Sequence, residues 1–475
     1  MGLRGAAVNA MPMVGAARSF LPRVATQAPG RLARRIARGL DAISLLALLA
    51  VPLFLTHFRG IAEALIDVVA VGLLLRSALR RDFAWAASTT FALTLLWWAW
   101  LVVCSIPVAG LGQGGGHSFV QALMTIRFPV FAFALPGLLR TRRRRAWLAG
   151  IVAGCCLYML AQCALQMVTG HNLFGTARYP DGSLTGPYRQ PRVGPVLSRL
   201  IFPVMLPASV WLLVTAGRRR GVARVGLSVL AAASVVLPVL MMVMVGQRMP
   251  LLLTVLGLLV AGLMIARLRL VVLLGCLLAP VGVAASAVIA PPAFHHLVTV
   301  FCAQIAHFPS SAYGRIAWRA VVIAHENLFT GRGFDGFRTG CPMPVYFQGL
   351  FGADGGGARI CVQHPHNHYL QAATDAGLPG LVLFCAMILA WLMACGRGLV
   401  GRPARAFRRL HPIWQAWRVG LFVALFIHEW PIASTSAFTN MPLGGWFFLL
   451  LGLGLTGRQA YMQAIGQTNR PEAAF

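Results

Sequence analysis

Twelve apolar stretches alternate with short polar joints along the chain, at roughly 41–56, 60–78, 83–108, 119–139, 147–168, 195–216, 223–246, 249–266, 269–290, 379–395, 413–431 and 442–457. Most approach the ~20 residues that a helix needs to cross ~30 Å of hydrocarbon. The pattern predicts an all-α integral membrane protein of about 12 transmembrane helices. The joints come in two kinds. RSALRRD (76–82), RTRRRR (140–145), GRRRGVAR (217–224), ARLRL (266–270), GRGLVGRPARAFRR (396–409) and GRQ (457–459) are short and basic, whereas joints such as GLGQGGGHS and PIASTSAFTN are polar and poor in Arg. Basic joints mark the cytoplasmic side. The alternation therefore predicts a multi-pass inner-membrane protein with both termini in the cytoplasm.

On this reading the chain divides into a cytoplasmic Arg-rich tail (1–38), helices one to nine (39–290), a large external loop (291–378), helices ten to twelve (379–457) and a cytoplasmic tail (458–475). A second, smaller external loop covers 169–194. Loops this long without structure of their own are uncommon unless they carry function. The larger one contains YGRIAWRAVVIAHENLF (313–329), in which Tyr313, Ile316, Ala320 and Ile323 fall near one helical face and Arg315, Arg319 and Glu326 near another. Such a helix is expected on the membrane surface or roofing a cavity.

Composition agrees with a bilayer protein. Hydrophobic residues make up 58% of the 475 positions and charged residues 11%, against about a quarter in soluble chains. The net charge of +30 would ordinarily raise nucleic acid as a partner, but all 41 basic residues are Arg and they cluster between apolar runs. They read as topology signals facing anionic membrane lipids, so no nucleic-acid partner is expected. The first 38 residues lack an apolar core and are not a cleavable signal. Seven of the ten Cys lie in or beside predicted spans and read as packing residues. Cys302, Cys341 and Cys361 share the large external loop, where a periplasmic setting permits disulfides. A Cys341–Cys361 pair would close a loop of about twenty residues, with Cys302 as a competitor for either partner.

Only 11 acidic residues exist, and Asp181, Glu326, Asp335, Asp354, Asp375 and Glu429 are the external ones. They form no D-x-D or H-E-x-x-H element and no clustered pair of the kind that holds a catalytic cation. No metal and no cofactor is expected. The external side instead offers Arg and His, most densely in CVQHPHNHYLQAATDAGLPGLVLF from Cys361 onward. His364, His366 and His368 alternate there. They fit a metal site only if a further ligand completes it, and they also fit a polar cap on a helix end. A general base is the third reading, because the unperturbed pKa of His lies near neutrality.

His366-Asn367, nine residues, Gly377, two residues and Gly380 match the H-[NSQ]-x9-G-x2-[GTY] pattern of bacterial O-antigen ligases. Arg248-Met-Pro-Leu-Leu252 matches the R-x3-L element of that family, and GRIAWRAVVIAHENLFTGRGFDGF is similar to the loop that leads into its His motif. The resemblance covers roughly residues 240–380. O-antigen polymerases and pilin glycosyltransferases look similar over the same motif.

The resemblance implies a GT-C-like membrane glycosyltransferase. It would take an O-antigen from undecaprenyl pyrophosphate and attach it to the lipid A–core oligosaccharide. His366 would be the base, and inversion would follow from direct attack. Arg, whose planar fork pairs bidentately with phosphate oxygens, would replace a metal at the leaving pyrophosphate. Candidate phosphate ligands are Arg248, Arg315, Arg319, Arg189 and Arg192, each with the alternative of snorkelling to lipid headgroups. Arg127, inside the fourth predicted span, is either a substrate contact or an ion-pair partner of Asp67. Two rival readings stand beside the ligase: a polymerase extending lipid-linked repeats, and a transporter or flippase of lipid-linked sugars.

Overall fold

The computed structural model describes residues 30–399, 411–433 and 438–468. The expected tail before residue 30, most of the basic joint 396–409, part of PIASTSAFTN and the end of the C-terminal tail lie outside these residues. The regular secondary structure of the described residues is helical, apart from one isolated β-bridge between His171 and Ala177. The long helices are α1 (Arg31–His57), α2 (Arg59–Arg80), α3 (Thr89–Cys104), α4 (Gly115–Met124), α5 (Arg127–Leu138), α6 (Arg142–Thr169) and α7 (Val193–Ala216). They continue with α8 (Gly221–Met244), α9 (Arg248–Met264), α10 (Arg269–Ile289), α11 (Ala312–Glu326), α12 (His368–Gly396), α13 (Pro412–His428) and α14 (Leu443–Thr468).

Each of the twelve apolar stretches falls on one of these helices, with three differences in extent. The first helix begins at Arg31, inside the expected tail, because Arg, Leu and Ala all favour helix. The stretch 119–139 is two helices rather than one, divided at Thr125–Ile126 just before Arg127. The stretch 379–395 is the second half of a helix that starts eleven residues earlier, at His368. Among the described residues, seven helical segments are long and apolar enough to cross a membrane: α1, α4 with α5, α6, α7, α8, α10 with its preceding turn, and α12. The chain is a multi-pass membrane protein.

The helices pack as neighbours: α1 along α2, α7 between α8 and α13, α3 on α12, and α5 alongside α14 in the same direction, with Phe128 against Phe448 and Leu135 beside Gly452. The close approach of α13 to α7 requires Gly420, since a Cβ there would sit 2.6 Å from the Phe202 carbonyl oxygen. Trp391, Trp446, Phe128, Phe131, Phe384 and Phe448 fill the centre of the bundle.

Above the bundle, the large loop has a core of its own. Ser311 caps α11 by accepting from the Gly314 N–H at 3.0 Å, and Ile316, Ala320 and Ile323 turn inward against Phe337, Cys341 and Tyr346. Cys341 and Cys361 form a disulfide, which leaves Cys302 a free, exposed thiol. Closing a loop of this length contributes ~3 kcal/mol in the chain-entropy account.

A backbone seam fixes this loop to the bundle. At Gly377 (φ 67°, ψ −167°) α12 breaks, and Pro379 has no N–H to offer the Asp375 carbonyl. The Thr374 carbonyl accepts from the Arg332 N–H at 2.9 Å, the Asp375 carbonyl from the Gly333 N–H at 2.9 Å, and the Ala376 carbonyl from the Trp100 indole at 2.9 Å. The Leu378 N–H, turned away from the helix, donates to the Leu328 carbonyl at 2.7 Å. Only Gly adopts this backbone region without strain of about 1–3 kcal/mol, and a Cβ at 377 would also meet the Phe329 backbone at 2.5 Å. Gly377→Ala is therefore expected to lower the thermal midpoint of the detergent-solubilised protein. Gly150→Ala, in open space on α6, should leave it unchanged or raise it. Equal midpoints for the two variants would rule out the seam as a determinant of stability.

Candidate active site

Five helix beginnings meet around one cavity of about 620 Å³. The first turns of α7, α9 and α14 form its walls. The residues just before α11 and α12 close it, including Ser311, His364 and His366. Helix N-termini carry partial positive charge and unpaired N–H groups, so their convergence suits an anion. Gln247 joins two of them by donating its side-chain amide to the Pro191 carbonyl at 2.7 Å.

Arg248, the first residue of α9, is held from several sides. It donates to the Gln304 side-chain oxygen at 2.5 Å and lies 3.5 Å from His296 Nε2. Its guanidinium also faces the Phe301 and Tyr313 rings at 5.7 and 5.9 Å. His296 sits in a π-helical turn, His295–Thr299, of a kind that often marks functional sites. Its Nδ1 is 2.8 Å from the Gly246 carbonyl. A carbonyl only accepts, so Nδ1 carries the proton and Nε2 is left to accept from Arg248. Asp181 Oδ2 is 3.9 Å from the same Nε2.

Beyond Tyr313, the cavity is lined by the histidines. His366 has a left-handed backbone (φ 55°), which turns its ring onto His364 with centroids 4.5 Å apart and toward Tyr313 at 5.8 Å. The His366 N–H donates to His364 Nδ1 at 3.3 Å. Burial, aided by the neighbouring His366 and His368, pushes the His364 pKa down to about 3, so His364 stays neutral through the physiological range. Asn367 caps α12 by accepting from the Tyr369 and Leu370 N–H groups, and its amide donates to the Pro431 carbonyl at 2.7 Å.

A family model described as O-antigen ligase matches residues 233–385. Over this stretch the chain is similar to the O-antigen ligase family. Members of that family are glycosyltransferase-like enzymes of O-antigen assembly, of ligase or polymerase type, and the match points to that class. A comparison with curated proteins finds no match. The matched region contains Arg248, His296, His364 and His366, whereas Arg192 reaches the cavity from outside it.

The structure brings only some of the expected arginines to this site. Arg248 and Arg192 line the cavity, and Arg189 is exposed beside it. Arg315 points toward Asp354, 4.0 Å away. Arg319, expected on the polar face of its helix, is 1% exposed instead. It donates to the carbonyls of Cys341, Gly355 and Gly357 at 2.5–3.2 Å and lies over the Phe347 ring, so it holds the loop together. Arg127 takes the ion-pair alternative, with Asp67 at 3.1 Å and with Glu63.

The sequence reading missed His296, Gln304 and Gln363 on the cavity wall. It also missed a carboxylate near the His run. His368, His428 and Glu429, all buried, place one potential ligand atom each within 4.8 Å of one another. His368 Nδ1 is 3.2 Å from Glu429. Arg199 bears electrostatically on both Glu429 and His428, which favours a charge-balanced core network over a cation there.

If Arg248 acts through its fork, Arg248→Lys should bind a pyrophosphate-bearing lipid nearly as poorly as Arg248→Ala. His296→Ala should weaken the same binding about tenfold, the low end for a hydrogen bond to a charged group. Wild-type affinity in Arg248→Lys would show that bulk charge suffices.

Proposed function

We propose that this protein is an O-antigen ligase, transferring a glycan from undecaprenyl pyrophosphate to the lipid A–core oligosaccharide on the periplasmic face of the inner membrane. The observation that carries the reading is the placement of Arg248 and His366 on one cavity at the helix beginnings. A hydroxyl of the acceptor sugar attacks the anomeric carbon. His366 takes the hydroxyl proton as the new C–O bond forms, the bond to the lipid pyrophosphate breaks on the opposite face, and the centre inverts. His366 suits the role of base better than His364, whose conjugate acid is too strong to form near neutral pH. Arg248 and Arg192, with the helix N-termini, offset the charge that develops on the leaving pyrophosphate.

The twelve apolar helical stretches support a twelve-span, GT-C-like topology with both termini in the cytoplasm. The Cys341–Cys361 disulfide supports an oxidising setting for the loop and cavity. A single large loop immediately before the His motif favours ligase over polymerase.

Replacing His366 by Ala is expected to reduce kcat by about 10²–10⁴-fold, the usual contribution of a general base, with normal membrane expression. His364→Ala should lose far less. The reverse order would move the base to His364. The assay uses purified protein in detergent micelles with lipid-linked glycan and lipid A–core. A transporter has no gradient or second leaflet there and would give no product.

The leaving group is met by Arg rather than by a metal ion in this mechanism, so EDTA should leave the rate unchanged. Loss of activity on chelation, restored by a divalent ion in the wild type but not in Glu429→Gln, would assign the buried His368–His428–Glu429 group a metal instead.

A further inference from the structure

A second polar cavity of about 490 Å³ opens between α2, α5 and α14. Helix α14 touches the candidate active site at Leu443 and this cavity at Leu455 and Arg458. Twelve helical residues between Leu443 and Leu455 span about 18 Å at 1.5 Å each, so the two cavities lie toward opposite ends of the bundle.

Arg76, Arg80, Arg140 and Arg458 line the second cavity, and Asp82 is the carboxylate among its lining residues. Two of these arginines are fixed from behind. Asp41 on α1 accepts from Arg76 at 2.6 Å through one oxygen and from Arg80 at 2.8 Å through the other. One carboxylate thus orients two forks and leaves the pair with a net positive charge. Gly137 makes room for the Arg76 guanidinium, since a Cβ there would sit 2.8 Å from its Nη2. Trp85 is pinned at the rim by its indole N–H, which donates to Ser77 Oγ at 2.9 Å. Below the charged rim the wall is apolar, formed by Leu73, Phe133, Pro136 and Leu455. Next to it, Arg31, Arg34, Arg35 and Arg38 of α1 border a further concavity that shares Arg80 and Asp82.

We propose that this cavity binds the phosphate headgroup of an anionic phospholipid, whose acyl chain runs down the apolar wall. Oriented guanidinium forks recognise phosphate oxygens bidentately. A basic pocket between spanning helices, with a Trp at headgroup level, is a recurrent setting for such lipids. The apolar wall adds what a free phosphate ion cannot use. The site is separate from the glycan-transfer cavity and does not depend on that assignment.

The test is a native mass-spectrometry titration of the full-length protein in neutral detergent. The probes are phosphatidylglycerol, phosphatidylcholine with the same chains, and inorganic phosphate. Phosphatidylglycerol should be retained about tenfold or more tightly than either of the others. The double variant Arg140→Gln/Arg458→Gln, which spares the Asp41 contacts, should lose about tenfold or more of that affinity while its lipid-free thermal midpoint stays at the wild-type value. If the double variant does not insert, Arg140→Gln alone is used and should lose part of the affinity. Equal retention of phosphatidylcholine, or unchanged phosphatidylglycerol affinity in an inserted variant, overturns the proposal. Inorganic phosphate binding as tightly as the lipid overturns the lipid assignment.

Discussion

A backbone carbonyl in a membrane protein must find a donor within the protein, because hydrocarbon supplies none. The break in α12 at Gly377 and Pro379 turns three consecutive carbonyls, Thr374 to Ala376, away from their helical partners. The loop returns to satisfy two of them with the Arg332 and Gly333 amides, and α3 satisfies the third with Trp100. The same loop strand hooks onto the end of α3, where the Phe334 N–H donates to Ser105 Oγ at 2.9 Å and the Arg332 carbonyl accepts from Gln113 at 3.1 Å. The Asp375 carboxylate closes the seam by accepting from the Gly336 N–H at 2.8 Å. A break that would be costly in lipid thereby becomes the anchor of an eighty-residue segment.

What the anchor positions follows from chain connectivity. With residues 328–336 fixed, α11 must lie over the bundle, and its N-terminal end brings Tyr313 to the cavity. The Cys341–Cys361 disulfide then returns the chain to the start of α12, so His364 and His366 reach the cavity with His366 against Tyr313. Arg248 needs neither constraint, since α9 belongs to the bundle. The loop is what brings His366 and Arg248 to one space. The motif glycine Gly377 thus acts through backbone geometry, and Gly380 leaves room for Trp100 to reach the Ala376 carbonyl.

The helical architecture was legible in hydropathy alone, because each apolar run had to be buried or meet lipid. The break between α4 and α5 was not: the sequence offered Asp67 as a partner for Arg127, but neither the second carboxylate, Glu63, nor the interruption before Arg127 leaves a mark on hydropathy. At the site, His366 and Arg248 were legible through the family pattern. His296 was invisible because its role depends on a π-helical turn and on the Gly246 carbonyl, neither of which has periodicity to detect. Arg319 was misread for a related reason. Amphipathic spacing assigns a charged residue to solvent, but this guanidinium found three inward-facing carbonyls, and donors so satisfied can be buried.

Arginine is the sole strong base in the chain, and helix polarity sorts its uses. Arg144 and Arg145 begin α6, where the dipole disfavours a cation, yet they donate to the final carbonyls of α5 at 3.0 and 3.1 Å and so cap a negative end. Arg127 begins α5 and is offset by two carboxylates. Arg192 and Arg248 also stand at helix beginnings, at a cost of roughly 0.3–1 kcal/mol each. Their cavity has Asp181 as its one lining carboxylate, and α14 adds a third helix beginning of the same sign. Positive charge concentrated there against the local helix dipoles is what a pyrophosphate would stabilise, and it gives the anion the role that the Glu63 and Asp67 carboxylates fill beside Arg127.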